Sequence, residues 1–125
     1  MIDEKSKFRL IITELKSAKE NMAIDEALLL NYQENNSAIL RLYTWKKDSL
    51  TIGVSQNFSN YTFIENPDET GAKRITGGGI LFHGHDLSYS LVIPIKLLKN
   101  FNIKQSYENI CLFILKFYKY LGLNV

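Results

Sequence analysis

The chain has little of what staples a fold, spans a bilayer or grips a polyanion. Its one cysteine, Cys111, excludes an internal disulfide and fits a reducing compartment. No run approaches the roughly 18 consecutive apolar residues of a spanning helix, and Asp3 and Glu4 stand where a secretory signal would be basic and then apolar. A soluble, cytoplasmic protein with no membrane partner is therefore expected. The excess of positive charge is only +2, with Lys and Arg scattered rather than striped, which gives no basis for a nucleic-acid partner. Internal repeats and low-complexity tracts are absent, and there are only two prolines. At 46% hydrophobic and 22% charged over 125 residues, what remains is one domain with a real core and no room for a second.

Phe8 to Ile12 predicts a short opening strand. Ser17 with Glu20 three positions later forms a capping-box pattern for a helix from about Ala18 to Gln33. That helix is apolar around most of its circumference, so much of it should be buried. Asp25 and Glu26 must then face solvent or find buried donors. Ile39 to Trp45 reads as a strand with Leu40, Leu42 and Thr44 on one face, and Ser49 to Val54 as a second strand, joined to it as a hairpin through Lys46-Lys47-Asp48. Gly53 fits either a close backbone approach or a bulge. Tyr61 to Glu65 predicts one helical turn, closed by Asn66 to Glu69.

Short strands over Ala72 to Ile75 and Ile80 to Phe82 then flank a glycine loop. A further alternating strand, Leu87 to Ile93, carries Leu87, Tyr89, Leu91 and Ile93 on one face before Pro94 ends it. Ser106 to Leu121 has a helical apolar stripe with Gly122 placed as its C-terminal glycine, and Cys111 on the stripe reads as a buried core thiol. The order of elements predicts an α+β fold with a mixed, largely antiparallel sheet and flanking helices.

The chemistry concentrates between Lys73 and Asp86. Gly77-Gly78-Gly79 costs so much unfolded-state entropy that the loop should take unusual dihedrals or lie directly against a partner. Its amides could cradle an anionic or polar group, Arg74 could add a charged planar fork, and Thr76 could bond the same group. A strained hairpin with no ligand stands beside this reading. The loop has neither the Gly-Lys-Ser/Thr ending of a P-loop nor the spacing of a dinucleotide fingerprint. His83, His85 and Asp86 raise a metal as an alternative, but three ligands in one turn without a cysteine are a thin set, and no metal ligand is assigned. His83 fits better as a neutral donor or substrate-orienting group, and His85 as a surface residue or a partner of Asp86. No Ser-His-Asp triad follows from these spacings.

Asn21-Met22-Ala23-Ile24-Asp25-Glu26-Ala27-Leu28, Leu40 to Trp45, Ser49 to Gln56, Lys73 to His83 and Leu87-Ser88-Tyr89-Ser90-Leu91 occur in an order that resembles the N-terminal half of the lipoate-protein ligase and octanoyltransferase family. That family shares its catalytic fold with biotin-protein ligases. Lys73 to His83 is similar to its Arg-Arg-x-Ser/Thr-Gly-Gly-Gly-x-x-x-His signature. The resemblance implies a site for lipoate or octanoate with the acyl chain in an apolar tunnel lined by the first helix and the sheet. In the ligases ATP, with magnesium, activates the carboxylate as an acyl-adenylate, and the acyl group passes to a lysine of a lipoyl carrier domain.

Carried onto this chain, Arg74 and Thr76, Gly77, Gly78 and Gly79 would hold the adenylate phosphate and acyl carboxylate, and His83 would lie beside the reacting end. Trp45 and Gln56 would belong to the pocket. Lys73 departs from the first arginine of the signature, keeping charge but losing the bidentate fork. The family's catalytic lysine, or the transferases' catalytic cysteine, follows the last helix and has no counterpart here, so no catalytic residue is assigned. Residues 1 to 125 are thus expected to be a partial catalytic domain lacking its C-terminal portion. It should be inactive alone and completed by a complementary polypeptide or C-terminal half. The main expectation is part of an ATP-dependent ligase; the alternatives are part of an octanoyl or lipoyl transferase with an external cysteine, or a non-catalytic remnant.

Overall fold

The central strand of the fold is chosen by its neighbours on both sides. In the computed structural model, which describes residues 7–125, β2 (Ala38–Trp45) pairs in parallel with β1 (Phe8–Lys16) and antiparallel with β6 (Ser88–Val92). Asp3 and Glu4 lie outside the described residues. A second sheet has β3 (Leu50–Ile52) at its centre, parallel to β4 (Gly71–Lys73) and antiparallel to β5 (Leu81–Phe82). Each sheet therefore mixes one parallel with one antiparallel pair, and helices flank them in an α+β fold.

The expected hairpin between Ile39–Trp45 and Ser49–Val54 does not form. Both edges of β2 are already occupied, and Asp48, at φ 61°, turns the chain out of the first sheet into the second. Along β2 the buried face is Ile39, Arg41, Tyr43 and Trp45, whereas Leu40, Leu42 and Thr44 are only half-buried.

Helix α1 (Ala18–Leu30) starts at the predicted capping box: Ser17 Oγ accepts from the Glu20 amide and Glu20 Oε2 from the Ser17 amide. Hydrogen bonding of the carboxyl to the Ser17 amide, and then to the Ser17 side chain, holds Glu20 below its ordinary range. The helix ends at Asn31, short of Gln33, and is not buried all round. Its buried residues are the single stripe Ala18, Asn21, Met22 and Asp25, because only that side meets strands; Leu29 and Leu30 stay exposed.

The predicted turn at Tyr61 to Glu65 is displaced to either side. A short 3-10 turn covers Phe58–Asn60, and a one-turn helix α2 (Pro67–Thr70) follows Asn66 at φ 50°. Pro67 occupies the first helical position, where its missing N–H costs nothing. Helix α3 (Ile103–Tyr120) starts earlier than Ser106, since Asn102 and Gln105 make a second capping box, and Gly122 at φ 81° follows its end. It touches the first sheet through Phe113 against Tyr89, ring centroids 5.3 Å apart and edge-on, and buries no residue fully. Cys111 is accordingly half-buried rather than a core thiol. Among the described residues no helix is long and apolar enough to cross a membrane.

Candidate active site

Arg41 is an arginine in the middle of an apolar strand, and its side chain is fully buried. Such a charge persists only where acceptors converge on it. Its Nη1 donates to Asp25 Oδ1 at 2.7 Å and to the Asn21 carbonyl at 3.1 Å; Nη2 donates to Asn21 Oδ1 and Thr13 Oγ1. Asp25 also accepts from the Tyr43 hydroxyl at 2.9 Å and from Ser90 Oγ at 2.7 Å. The guanidinium lies 4.0 Å over the Tyr43 ring. Burial, reinforced by the Asp25 charge and hydrogen bond, pushes the Tyr43 phenol well up. Two strands and α1 are thereby tied through one carboxylate. Asp25 found its buried donors, and Glu26, one position on, faces solvent.

Trp45, two positions beyond Tyr43 on the same face, links this network to a second one. Its ring stacks on His83 at 3.8 Å and 11°, and its Nε1 donates to Ser88 Oγ at 2.9 Å. The His83 backbone amide donates to the Ser49 carbonyl, which fixes the residue against the entry to β3. His83 Nδ1 is 2.8 Å from Asp86 Oδ2 and Nε2 is 2.9 Å from Thr51 Oγ1. An ionised carboxylate can only accept, so Nδ1 carries the proton, and in the neutral ring Nε2 accepts from the Thr51 hydroxyl. Partial burial alone would raise the Asp86 carboxyl, but the His83 hydrogen bond and the Gly84 amide outweigh it and hold it low. Thr51 Oγ1 in turn accepts from Arg74 Nη1 at 2.8 Å. The result is a directed chain from Arg74 through Thr51 and His83 to Asp86.

The glycine loop is braced from within. Arg74 Nη2 donates to the carbonyls of Gly77, 3.0 Å away, and Gly79, 2.8 Å away. Of the three glycines only Gly78 takes a positive φ, 101°, so the unusual dihedral is confined to one position. Gly53 serves a close approach: a Cβ there would fall on the Gly78 carbonyl oxygen. The loop backbone thus lies directly on β3, with the Val54 amide bonded to the Thr76 carbonyl at 2.9 Å.

Between α1, β2, β6 and this loop is a cavity of about 500 Å³. Met22, Leu29, Leu81, Leu87, Leu91 and Val92 give it apolar walls, and Arg74, Thr76, His83 and Ser88 supply polar groups beside them. Of the residues expected to bind substrate, Arg74, Thr76, His83 and Trp45 line this cavity. Gly77, Gly78 and Gly79 form the exposed loop outside its lining. Gln56 is not brought there and accepts from the Tyr61 hydroxyl instead. Asp86 pairs with His83, not with His85, which is exposed. Among the described residues no three His, Cys, Asp or Glu side chains gather to hold a metal, so the His83, His85, Asp86 alternative has no geometry behind it.

Thr51, Ser88, Ser90 and the Asp25–Arg41 pair were not anticipated. Two serines alternating with apolar residues on β6, and an arginine inside β2, were the available signals.

The fold recurs in solved lipoate ligases. A lipoate-protein ligase A bound with ATP superposes with TM-score 0.61 at 29% identity, over 70% of this chain and 37% of that one. An archaeal bi-partite lipoate protein ligase from Thermoplasma acidophilum gives 0.57 at 29%, over 70% and 36%.

By sequence, the octanoyltransferase LipM of Brevibacillus brevis is 32% identical over 94% of this chain and 44% of its own length. LipM of Oceanobacillus iheyensis is 34% identical over 88% and 42%. Residues 17–125 match the lipoyl protein ligase A/B catalytic domain, and the chain belongs to that family. It spans less than half the length of these curated relatives.

Proposed function

We propose that this chain is the acyl-binding portion of an octanoyl or lipoyl transferase whose reactive cysteine is supplied outside residues 1 to 125. The observation that carries the reading is the cavity of about 500 Å³, whose apolar walls run up to the Trp45–His83–Asp86 corner. An acyl chain gains by leaving water along such walls, and its carbonyl end would meet the polar corner. Held by Asp86 in one tautomer and flattened against Trp45, His83 can orient the reacting end. By moving Nε2 away from Thr51 it could also accept a proton from an incoming thiol. Thr76 would bond the carbonyl end of the acyl group, and Arg74 would act by bracing the loop.

The preference for a transferase over the ligase expected from the signature rests on the LipM relatives and on Arg74. For ATP to be clamped as the resemblance implies, Arg74 would have to release the Gly77 and Gly79 carbonyls. The likeness to an ATP-bound ligase supports the ligase as a second reading. A complementary polypeptide or C-terminal half is part of the proposal. Exposed Tyr107 and Phe117 on α3, with Leu121 at its C-cap, leave an apolar face suited to cover by such a partner. A lipoyl carrier domain would be the acceptor.

The test has two arms. Titration of the chain with octanoate, followed by Trp45 fluorescence, should show saturable binding; a flat titration would sink the acyl-site reading. Reconstitution with the remaining part of a LipM relative, an octanoyl thioester as donor and an apo carrier domain as acceptor should give acylation that releases the donor thiol, is indifferent to ATP and is blocked by thiol alkylation. Strict dependence on ATP would install the ligase reading instead.

A further inference from the structure

A second cavity, of about 330 Å³, lies on an adjoining face of α1 against α2 and β4, lined by Ala23, Phe58, Pro67, Gly71 and Ala72 with charged residues among them. Among the described residues, Met22 alone lines both this cavity and the larger one. Met22 is 8% exposed and belongs to a buried cluster with Ala18, Tyr43, Trp45 and Ala72, so the residue shared by the two linings is itself packed in the core. Methionine is unbranched and flexible, suited to fill an irregular gap. Lys19, Glu26, Asp68 and Lys73 line the smaller cavity, so its own mouth is charged and does not invite an apolar guest from solvent.

We propose that Met22 is the partition that limits the length of acyl chain the site accepts, and that the smaller cavity is the overflow space it closes off. This rests on the reading that an acyl chain occupies the larger cavity. Replacing Met22 with alanine removes three heavy atoms at the point of contact and joins the two spaces. Each additional methylene then leaves water rather than meeting a wall, which strengthens binding by about fourfold per carbon.

Trp45 is the single tryptophan and lines the larger cavity, so its fluorescence reports occupancy directly. The full chain is titrated with octanoate, decanoate, dodecanoate and tetradecanoate. Wild type should bind octanoate best. Met22→Ala should move the optimum to dodecanoate, with at least about a tenfold gain over wild type for that acid. Met22→Leu, of similar volume, should keep the wild-type profile. Adding Ala23→Phe to Met22→Ala should erase the gain by refilling the smaller cavity, an effect that general loosening of the core would not reproduce.

A folded Met22→Ala with the wild-type profile, or a gain that survives Ala23→Phe, would overturn the partition while leaving the acyl site intact. If Met22→Ala does not fold, Met22→Val carries the same comparison with a smaller shift expected. A wild-type chain that binds none of the four acids overturns the acyl-site reading itself, and the partition falls with it.

Discussion

Two hydrogen-bonded clusters lean on the same face of β2 and differ in almost every physical respect. The Asn21–Asp25–Arg41–Tyr43–Ser90 cluster sits between α1 and strands with long registers, and Arg41 within it is wholly shielded from water. The Arg74–Thr51–His83–Asp86 cluster hangs on strands of two and three residues, and the Asp86 side chain remains 40% exposed. Tyr43 and Trp45, with centroids 5.3 Å apart, are the join between them. A charge pair deep in the fold makes removal of either partner costly, whereas a pair at a cavity wall can change partners at small cost. The first cluster therefore holds the elements in place, and the second is free to meet a ligand.

The sharpest way to break this contrast is to remove one member of each. Asp25→Leu leaves Arg41 buried without its counter-charge and should cost about 3–5 kcal/mol in urea denaturation. His83→Gln should cost about 1 kcal/mol by the same measurement. Pairing Asp25→Leu with Arg41→Met should cost less than the sum of the singles, because no orphaned charge remains. Equal losses for Asp25→Leu and His83→Gln would erase the distinction.

Gly53→Ala should act next in size. Its Cβ would displace the Gly78 carbonyl, so octanoate binding should fall by about tenfold, with strain of about 1–3 kcal/mol. Unchanged binding in the Trp45 titration would mean that the loop position does not matter to the site.

A smaller, pH-dependent difference sharpens the comparison further. The Asp86 carboxyl is held low in the folded chain, so its stabilising contribution is full above the ordinary carboxylate range and is lost as pH falls through its lowered folded value. Urea midpoints measured from neutral to acid pH should therefore show wild type ahead of Asp86→Asn at neutrality, with the gap closing on acidification. A gap that widens would put the sign the other way. Smallest of all, Trp45→Phe keeps a ring against His83 but loses the bond to Ser88, at about 1 kcal/mol by circular dichroism melts.

Local rules carried the sequence reading a long way. Ser17 and Glu20 start α1 because a capping box needs only four consecutive residues, and Gly122 ends α3 because positive φ is a property of one residue. The order Asn21 to Leu28, Leu40 to Trp45 and Lys73 to His83 was enough to indicate the family. Which loop carries polar chemistry beside an apolar site was also legible, from three adjacent glycines behind Arg74.

Tertiary structure alone decided what those groups face. Strand alternation says that Leu40 and Arg41 point oppositely but not which side is inside, and the arginine took the interior because Asn21, Asp25 and Thr13 converge there from other elements. The Ser49–Val54 segment could not form a hairpin with β2 once β1 and β6 held both its edges, a competition between strands far apart in the chain. Arg74 turned inward to loop carbonyls, and Asp86 chose His83 over the adjacent His85, for the same reason: the partner is fixed by where the backbone places it in space. Residue types and spacing set the inventory of donors, acceptors and apolar faces, and packing between distant segments assigned each one its partner.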